Sequence, residues 1–574
     1  MMKSDNNKKG LMVCATILAA QLFVFVPAGL YFTNLDEMNI ALLALCRLCL
    51  VPALLLLLIL ILVGHVLAPK IRSYLTASLA MFGILVWLQS NVFLWDYGLL
   101  DGRLIDWSKD VWRGWVDMAA WLVLLGTAVA LSRKYEKRMV QSAVAVFVLQ
   151  LLTVSVQSLQ HYDHIRYEDY KSDRALENLY RFSTERNVLH LIVDGFQSDV
   201  FNDLIHIPDL GRAYRQAFSG FTYYPETLTV FPYTRFSVPA FLAGQLYDNQ
   251  MPQDDYVDKV LAGKNIINLA RDKGYAIDLG AGTKYLEKRY SHLKHDNLYN
   301  LSKLNTQLEE VAKIMDLVLF RAAPHFLKPY IYNGQKWRLT SIFAGPKGMQ
   351  YNYFKHTYFL QSFIRNMATN RGTPTYKYLH VMNTHNPMVV NSACGYAGEV
   401  YPMTRKTLTI QTKCTLDTIV LLFERMREIG VYDNTLILIH GDHGGWTGNH
   451  RQGATIKFAD GTEAPEWVAS LASPMLAIKL PSQAGDLQIS DKMVSLADVP
   501  DTISDIMGWG YPFGFQSIMR IEETALRERV FRFYSWRKNE WREKYAPPMQ
   551  EFLITGSHYE VPWELGDIFL PPVD

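Results

Sequence analysis

Two short segments of the chain combine carboxylates and histidines in a way that suits metal binding. The first is Val193-Asp194-Gly195, and the second is the run His440–Gly445, in which Asp442 and His443 are adjacent. Adjacent Asp and His supply a hard oxygen donor and a borderline nitrogen donor, a combination that suits Zn²⁺ or Mn²⁺. Asp-Gly is also ordinary turn chemistry. The second segment is therefore the stronger candidate, because a turn does not explain its density of His and Gly.

A third candidate is Thr234, at the start of the segment Thr234–Gly244 (TRFSVPAFLAG). This segment has the pattern of a loop that enters a helix. A hydroxyl at a helix N-terminus faces free N–H groups and the positive end of the helix dipole, where a phosphate or sulfate binds. The alternative is a plain N-cap. The segment therefore predicts either an anion site or a capped helix at Thr234.

The elements that must position these residues alternate between strand and helix patterns from Asn187 onward. The pattern predicts strands at Val188–Val193, Tyr275–Leu279, Tyr376–Met382, Thr435–Ile439 and Met475–Leu480, and helices at Leu261–Arg271, Phe354–Met367 and Leu416–Ile429. This alternation predicts an α/β domain with a mainly parallel central sheet covered by helices on both faces. Ligands of such sheets bind at the carboxyl ends of the strands, and Asp194 and Asp442 follow two of these ends.

The N-terminal region is dominated instead by five long apolar stretches, at Leu11–Thr33, Ile40–Leu67, Leu75–Trp95, Val116–Leu131 and Met139–Val156. Most reach the roughly 20 residues needed to cross a membrane, and they show hardly any polar face. The sequence predicts a five-helix transmembrane domain at residues 1–156, a juxtamembrane linker at 157–186 and the α/β domain at 187–574. The alternatives are buried helices of a soluble bundle and, for the first stretch, a signal peptide.

Basic residues in the short connections predict the orientation of these helices. They precede the first stretch and join the second to the third and the fourth to the fifth, at Lys3, Lys8, Lys9, Lys70, Arg72, Arg133, Lys134, Lys137 and Arg138. The alternate connections, Asn34–Glu37 and the more acidic Asp96–Arg113, lack such clusters. This pattern places the N-terminus in the cytoplasm. After five crossings, the residues beyond 156 lie outside.

The composition excludes several classes of protein. With 57 Lys+Arg and 55 Asp+Glu the net charge is +2, which gives no support for nucleic-acid binding. A content of 49% hydrophobic and 13% aromatic residues excludes disorder, and five cysteines exclude a disulfide-dense scaffold. The mean hydropathy of +0.00 is the average of an apolar anchor and a soluble domain. Cys394 and Cys414 are the only cysteines outside the apolar stretches, and we expect them to be bonded in an oxidising compartment.

Together, these residues resemble the alkaline phosphatase/sulfatase superfamily over most of residues 187–510. In sulfatases the nucleophile segment reads Cys or Ser, two residues, Ser, Arg and then five residues to Gly. The reactive position aligns with Thr234, the Ser with Ser237 and the Gly with Gly244. The Arg position holds Val238, and Thr cannot be oxidised to formylglycine, so both departures argue against true sulfatase chemistry. The segment Ser495–Ile503 (SLADVPDTI) is similar to the superfamily's S-x-x-D-x-x-P-T pattern with one residue altered.

Membrane helices followed by such a domain resemble the bacterial phosphoethanolamine transferases and lipoteichoic acid synthases. That branch uses a Thr nucleophile and one main divalent metal ion, which for this chain implies zinc or manganese. The resemblance implies a metal site whose ligands are Asp194, Thr234, Asp442 and His443. A second metal is not expected, because the region Val381–His385 lacks the Asp-x-x-x-His pair of two-metal phosphodiesterases.

The resemblance also implies roles at the substrate. His385, in the segment Asn383–Pro387, matches the branch's substrate-contacting histidine, and His450 matches its Asn-His pair. Either could act as a catalytic acid and base; for His385 the alternative is a hydrogen-bonded core residue. The candidate substrate-binding residues are Ser237, Asn449, Trp337 and Arg338, the last two with packing and a surface charge as their alternatives.

The implied activity is that of a membrane-bound, metal-dependent transferase. It would move the headgroup phosphate of phosphatidylethanolamine or phosphatidylglycerol to an envelope glycan or lipid, lipopolysaccharide among them, through a phospho-threonine intermediate. With water as acceptor, the same residues would serve a phosphodiesterase or sulfatase-type hydrolase. A non-catalytic lipid-sensing relative is a third alternative. The implied location is the bacterial inner membrane, with the catalytic domain periplasmic or extracellular.

Overall fold

The computed structural model describes residues 2–35, 38, 40–98, 100, 105–109, 111–161, 172–301, 307–334, 336–343, 351–535 and 543–572. The chain forms two compact units. Unit 1 comprises Met1–Tyr170 and Asn305–Gln350, and unit 2 comprises Lys171–Leu304 and Tyr351–Asp574. The described residues between 307 and 343 therefore fold with the N-terminal region, although they lie within the α/β segment in sequence. Residues 162–171 of the predicted linker, and Asp36 and Glu37 of the first connection, lie outside the described residues.

Unit 1 is helical in the residues that the structure describes. Its elements are Met2–Ala20, the π-helical turn Gln21–Phe25, Val26–Thr33, Leu42–Val66, Pro69–Asn91, Val111–Gln160, Gln307–Ala322, the 3₁₀ turn His325–Leu327, Lys328–Tyr332 and Arg338–Phe343. Within the described residues, four helical spans are long and apolar enough to cross a membrane: Lys8–Thr33, Leu42–Val66, Pro69–Asn91 and Val111–Gln160. In Leu42–Val66 only 6% of the most apolar 18 residues are buried, so most of its Leu, Ile and Val side chains face outward, whereas Leu45 is buried.

The prediction of five separate apolar helices differs from the four that the described residues form. The predicted fourth and fifth stretches lie in one helical element of 50 residues, Val111–Gln160. The basic connection Arg133–Arg138 contains neither Gly nor Pro, the residues that most often end a helix, and all of its residues have helical backbone conformation, so no non-helical residue separates the two stretches.

The two halves of Val111–Gln160 nevertheless run in opposite directions. In the first half, Trp121 packs on Phe82 and Glu136 accepts a hydrogen bond from Ser73, which makes this half antiparallel to Pro69–Asn91. In the second half, Glu136 lies beside Gly10, Gln150 accepts a hydrogen bond from Gln21, and His161 stacks on Phe32, which makes this half parallel to the first span.

The first span and Pro69–Asn91 are themselves parallel, because Gly10 faces Thr76 and Gly83 faces Gln21. The first half of Val111–Gln160 is thus antiparallel to Pro69–Asn91, whereas the second half is parallel to the first span, which runs in the same direction as Pro69–Asn91. The chain therefore turns back within the basic segment of this element.

Unit 2 contains fifteen strands among its described residues. They are β1 Arg181–Ser183, β2 Asn187–Val193, β3 Phe221–Tyr223, β4 Ala276–Ala281, β5 Asn297–Asn300, β6 Ala368–Arg371, β7 Thr375–Val381, β8 Met388–Val390, β9 Tyr396–Tyr401, β10 Thr435–His440, β11 Leu476–Lys479, β12 Gln488–Ile489, β13 Glu528–Phe533, β14 Met549–Thr555 and β15 Glu564–Phe569. Eight form a central sheet in the order β12-β3-β11-β10-β2-β7-β4-β5, in which β11 alone is antiparallel to its neighbours. The prediction of a mainly parallel sheet is confirmed. The smaller sheets are β1-β6, β8-β9 and β13-β14-β15.

Helices cover both faces of this sheet because its strands are apolar on both faces. Along β2, Val188 and Ile192 belong to one hydrophobic cluster, whereas Leu189 and Leu191 belong to another. Strand side chains alternate between faces, so each set meets a different layer of helices. The helices of unit 2 are Ser172–Tyr180, Ser198–His206, Leu210–Ala217, Thr234–Ala243, Gln253–Ala262, Ile266–Asp272, Lys284–Tyr290, Tyr351–Asn366, Arg405–Glu428, Trp467–Ala472 and Val499–Ile506, with 3₁₀ turns at Leu496–Asp498 and Ile518–Arg520.

All five predicted strands occur within one or two residues of their expected bounds. The predicted helix Leu261–Arg271 is wrong, because the structure has two helices there, Gln253–Ala262 and Ile266–Asp272. Gly263 follows the first helix. Asn265 then caps the second, where its side chain accepts a hydrogen bond from the backbone N–H of Asn268 at 2.9 Å.

Candidate active site

The register of two neighbouring strands brings Asp194 and Asp442 to the same edge of the sheet. β2 and β10 are parallel, and Ile192 pairs with His440. Each Asp follows its paired residue by two positions, so the two carboxylates emerge side by side at the carboxyl ends. The backbone N–H of Gly195 donates to Asp442 Oδ1 at 3.2 Å, which ties the two strand ends together.

Thr234 is the first residue of the helix Thr234–Ala243 and is only partly buried. Its Oγ1 lies 2.6 Å from Asp442 Oδ2, to which it donates a hydrogen bond, and 3.3 Å from Asp194 Oδ2. The hydroxyl is therefore directed at the two carboxylates and does not cap its own helix. The first N–H groups of a helix have no intrahelical acceptor, so an anion beside Thr234 would meet free donors.

Asp194, Asp442 and His443 can place one ligand atom each within 4.8 Å of one another. His443 Nε2 lies 3.6 Å from Asp194 Oδ1 and 3.6 Å from Asp442 Oδ2. His443 Nδ1 is 2.7 Å from the carbonyl of Gly444, which can only accept, so Nδ1 carries the proton and Nε2 presents a lone pair to the carboxylates. This is the tautomer that a metal ligand requires.

Asp194 shows the strongest sign of a cation site. Its side chain is 2% exposed, and its Oδ1 is buried without a hydrogen-bond partner among the residues that the structure describes. Burial raises the pKa of Asp194, but the electrostatic interactions with His385, His443 and His380, together with the hydrogen bond from His380, outweigh it and hold the pKa below its usual value. A buried carboxylate oxygen without a donor is costly. The donor set of two carboxylates, an imidazole and a hydroxyl suits Zn²⁺ or Mn²⁺.

His380, on β7, orients Asp194 and was not singled out from the sequence. Its Nε2 lies 3.3 Å from Asp194 Oδ2, and its Nδ1 lies 2.7 Å from the hydroxyl of Tyr290. If Nε2–H donates to the carboxylate, Nδ1 accepts from Tyr290, whose oxygen is also 3.0 Å from the hydroxyl of Tyr378. A histidine between Leu379 and Val381 in a predicted strand was the available signal, because a buried polar group needs a partner.

A second buried chain supports the loop that carries Asp442. His440 Nδ1 donates to the carbonyl of Gly441 at 2.7 Å, so its Nε2 accepts from His190 Nε2 at 2.8 Å. His190 Nδ1 then accepts from the hydroxyl of Tyr376 at 2.9 Å. Burial lowers the pKa of His440 to about 4 and lowers that of His190 well below its usual value. Both imidazoles are therefore neutral at neutral pH.

Aromatic rings form the partly exposed mouth of the site. Trp446 stacks on Tyr233 at 6.3 Å between ring centroids and meets the ring of His385 edge-on at 5.7 Å. His385 Nε2 lies 3.9 Å from Asp194 Oδ1. The spacing of motif residues did not indicate Tyr233 or Trp446, although each is adjacent or close to a predicted ligand in sequence.

Two glycines are required in these loops for different reasons. Gly195 has φ +70°, a backbone conformation that disfavours other residues, whereas a Cβ there would meet its nearest neighbour, the carbonyl oxygen of Thr384, at an ordinary 3.6 Å. A Cβ on Gly444 would lie 1.9 Å from the carbonyl oxygen of Ser470. The glycine after Asp194 therefore allows the turn, and the glycine after His443 allows two backbone segments to approach each other.

The remaining predicted residues make contacts of other kinds. Ser237 is buried and donates to the backbone carbonyl of Asp442. Asn449 is buried and donates to Ser473 Oγ at 3.4 Å. His450 is 62% exposed, and its Nδ1 lies 3.4 Å from Asp203 Oδ2. Roles in substrate binding or proton transfer for these three residues stay predictions.

Trp337 and Arg338 belong to unit 1, whereas the site described above belongs to unit 2. Trp337 is fully buried against Phe320 and Tyr332. Arg338 Nε donates to the carbonyl of Tyr330 at 2.6 Å. These contacts account for both side chains as structural residues, and contact with substrate stays a prediction for them.

The cysteines of unit 2 form a disulfide. The sulfur atoms of Cys394 and Cys414 lie 1.99 Å apart, and the bond joins the segment before β9 to the helix Arg405–Glu428. Cys414 is buried beside Phe354, Val389 and Val390.

Comparison with known proteins gives one match that covers most of unit 2. Residues 186–509 match the family described as Sulfatase, and this range contains Asp194, Thr234, Asp442 and His443. A comparison with curated protein sequences gave no match.

Distant likenesses occur among solved structures. The C-terminal periplasmic domain of EcEptC from Escherichia coli is 12% identical, over 62% of this chain and 91% of that chain, with a TM-score of 0.36. The lipoteichoic acid synthase LtaP from Listeria monocytogenes is 9% identical, over 69% and 92%, with a TM-score of 0.37. The phosphonate monoester hydrolase SpPMH from Silicibacter pomeroyi is 15% identical, over 67% and 89%, with a TM-score of 0.37. Likenesses at this distance assign no activity.

Proposed function

We propose that this chain, which belongs to the sulfatase family, is a membrane-bound, metal-dependent transferase of phospholipid headgroups. It moves phosphoethanolamine or phosphoglycerol from a phospholipid to a glycan or lipid of the cell envelope, lipopolysaccharide being one candidate acceptor. The observation that carries the proposal is the position of Thr234 Oγ1, at a helix N-terminus and 2.6 Å from Asp442 Oδ2.

One divalent ion would be held by Asp194, Thr234, Asp442 and His443. The orphaned Oδ1 of Asp194 and the unprotonated Nε2 of His443 support this set. When bound, zinc or manganese supplies positive charge that favours the alkoxide of Thr234 and offsets charge on the phosphate oxygens. The described residues of this group offer ligands for one ion, which supports a single metal.

Two half-reactions follow from the residues of the chain. In the first, Thr234 Oγ bonds to the phosphorus, its proton passes to Asp442 Oδ2, and the bond from phosphorus to the diacylglycerol oxygen breaks. The protonated Nε2 of His385 gives its proton to that leaving oxygen. In the second, the neutral His385 takes the proton of an acceptor hydroxyl, whose oxygen displaces Thr234. The proton on Asp442 then returns to Thr234 Oγ.

Two positions of the nucleophile segment, Thr234 and Val238, support phosphoryl rather than sulfuryl transfer. A sulfatase oxidises its Cys or Ser to formylglycine, which Thr cannot form. At the usual Arg position stands Val238, which is buried in the core. These departures favour direct attack by a hydroxyl on phosphorus.

The anchor supports a lipid donor and a location in the bacterial inner membrane. Unit 1 carries four apolar spans among its described residues, and the longest folds back on itself, as two passes of a membrane would. The basic connections favour a cytoplasmic N-terminus. The Cys394–Cys414 disulfide favours an oxidising compartment, such as the periplasm, for unit 2.

Water as the acceptor would make the same site a phosphodiesterase or a sulfatase-type hydrolase. The partly exposed Thr234 and His385 leave room for either acceptor. A non-catalytic lipid sensor is disfavoured, because all four ligand positions hold residues able to bind metal.

Intact-mass analysis of the full chain in nanodiscs tests the proposal. The protein, supplied with Zn²⁺ or Mn²⁺, is incubated with phosphatidylethanolamine or phosphatidylglycerol without an acceptor. We expect an adduct of about +123 Da or about +154 Da respectively, on Thr234 by peptide mapping. Thr234→Val removes the adduct, whereas Thr462→Val, in an exposed turn, retains it.

The absence of an adduct with both donors, together with full activity of Thr234→Val, would contradict the proposal. Product analysis separates the two acceptors. A transferase moves the phosphoethanolamine or glycerol phosphate group to an added lipid A or glycan acceptor. A hydrolase releases free phosphoethanolamine or glycerol phosphate at the same rate with or without that acceptor.

A further inference from the structure

A helical segment that interrupts the sequence of unit 2 belongs to unit 1. The chain leaves unit 2 after β5 and returns at the helix Tyr351–Asn366. Between them, the described residues of Gln307–Phe343 form the helix Gln307–Ala322 and three shorter helical elements. We call Gln307–Phe343 the insert. None of the four metal-ligand candidates lies on it.

The helix Gln307–Ala322 packs on the long apolar helices. Its residues Ile314, Met315 and Val318 are buried in the same hydrophobic cluster as Tyr31 and Cys49. Cys49 Sγ lies 3.9 Å from Met315 Sδ. The insert is therefore held against helices that have the length and composition of membrane spans.

Polar contacts locate the insert at one end of these helices. Buried Asp117 accepts the backbone N–H of His325 through Oδ2 at 2.8 Å and the indole N–H of Trp95 through Oδ1 at 2.9 Å. Arg321 Nε donates to the carbonyl of Ser90 at 2.7 Å. Ser90 is near the end of Pro69–Asn91, and Asp117 is near the start of Val111–Gln160. The insert thus lies where the apolar spans end.

Tryptophan is concentrated at the same end. Trp95 meets Trp112 at 5.2 Å between ring centroids, and Trp115 meets Phe326 of the insert at 5.5 Å. Trp107 packs against aromatic residues of the insert as well. Indole rings gather at membrane–water interfaces because they are apolar with one polar edge. This cluster therefore marks the level of the lipid headgroups.

The insert also carries apolar side chains that the chain leaves uncovered. Tyr330 is 68% exposed and Ile342 is 70% exposed, and Leu327 and Phe343 are about half exposed. Trp115, which contacts the insert through Phe326, is 67% exposed on the neighbouring span. The uncovered surface of the insert thus continues the outward-facing surface of the helices, which is the surface that lipid covers.

We propose that the insert is seated in the membrane–water interface and that Leu327, Tyr330, Ile342 and Phe343 form its lipid-contact patch. The partner is the bilayer in which the helices of unit 1 lie. Amphipathic helices of this kind bury an apolar face at the boundary between headgroups and acyl chains. The inference rests on unit 1 spanning a membrane and is independent of the chemistry at Thr234.

Site-directed spin labelling of the full chain in nanodiscs tests this proposal. Single cysteines are introduced by Tyr330→Cys and Ile342→Cys in a background that lacks Cys14, Cys46 and Cys49, and each is labelled. Power-saturation measurements then compare collisions with oxygen, which enters lipid, and with a water-soluble nickel chelate. The lipid control is Leu55→Cys, on an outward-facing side chain of Leu42–Val66, and the aqueous control is Leu526→Cys, on an exposed side chain of unit 2.

We expect the oxygen-to-nickel accessibility ratio at both insert positions to exceed that at residue 526 several-fold and to fall below that at residue 55. Ratios equal to that at residue 526 would overturn the proposal. So would dipolar broadening between labels at position 342 on two copies, because the patch would then be an interface between chains. A failure of the Thr234 adduct experiment leaves this result unaffected, since no turnover is measured.

Discussion

His380 is the residue whose replacement tests the metal site most directly. It does not belong to the proposed ligand set, but its Nε2 lies 3.3 Å from Asp194 Oδ2 and holds that carboxylate in place. We expect His380→Leu to weaken binding of Zn²⁺ by about 10- to 100-fold, the usual effect of losing a partner of a metal ligand. This loss corresponds to about 1.4–2.7 kcal/mol.

The same substitution also has a structural cost, which a control must separate from the effect on the metal. It leaves the buried hydroxyl of Tyr290 without its acceptor, at about 1–3 kcal/mol of folding free energy. His558→Leu is the matched control, because His558 is equally buried in unit 2, pairs with Glu226 and Ser473, and lies outside the proposed ligand set. It should destabilise the fold by a similar amount and leave Zn²⁺ affinity within a few-fold of wild type.

The assay is competition calorimetry with Zn²⁺ on the full chain in detergent, alongside denaturant unfolding of each variant. His380→Gln should restore part of the affinity, because its amide N–H can donate to Asp194. Unchanged Zn²⁺ affinity in His380→Leu would refute the reasoning. An equal loss of affinity in both Leu variants would refute it as well, since the effect would then reflect the fold alone.

Three further predictions concern other parts of unit 2. Burial lowers the pKa of His356 to about 3, so below pH 6.5 the unfolded chain binds a proton that the folded chain does not bind. The wild type therefore loses stability as the pH falls from 6.5 to 5, and His356→Leu should lose about 2 kcal/mol less over this range, measured by denaturant unfolding at each pH. Cys394→Ser with Cys414→Ser opens a loop with a sequence separation of 20 and should lower the free energy of unfolding by about 3 kcal/mol, whereas an unchanged denaturation midpoint would contradict the loop-entropy argument. Trp446→Ala removes a wall of the site mouth and should raise KM for the proposed lipid donor more than it lowers kcat, which steady-state kinetics would reveal.

Much of the fold of unit 2 follows from local sequence pattern. The runs around Val188–Val193 and Thr435–Ile439 are apolar at consecutive positions, and such strands are stable only when both faces are covered. The structure has strands at both places, and its clusters divide their residues between two layers. The position of Asp194 and Asp442 after such strands was likewise readable, because in parallel sheets these ends share an edge.

The polar residues that hold the site in place could not be predicted from local sequence pattern. His380 and His190 each lie between apolar neighbours in a strand, and the sequence marks them only as residues that need partners. Which partners they meet depends on the strand order β10-β2-β7 and on the register that places His190 beside Tyr378. Those pairings join residues that are far apart in sequence, and no local pattern encodes them.

The anchor shows the same division. Composition alone identified the apolar stretches, because length and hydropathy are properties of the segment itself. That the insert packs with the N-terminal helices depends on contacts such as those of Met315 and Asp117.

The sequence by itself therefore determined the kinds of side chain available for chemistry, their places at strand and helix ends, and the division into an apolar and an α/β part. These are local properties, set by side-chain type and spacing. Only the tertiary structure decided that Thr234 faces Asp442, that His380 holds Asp194, and that the insert joins unit 1. Such contacts arise from the burial of surfaces distant in sequence, whose combined free energy selects one arrangement of the whole chain.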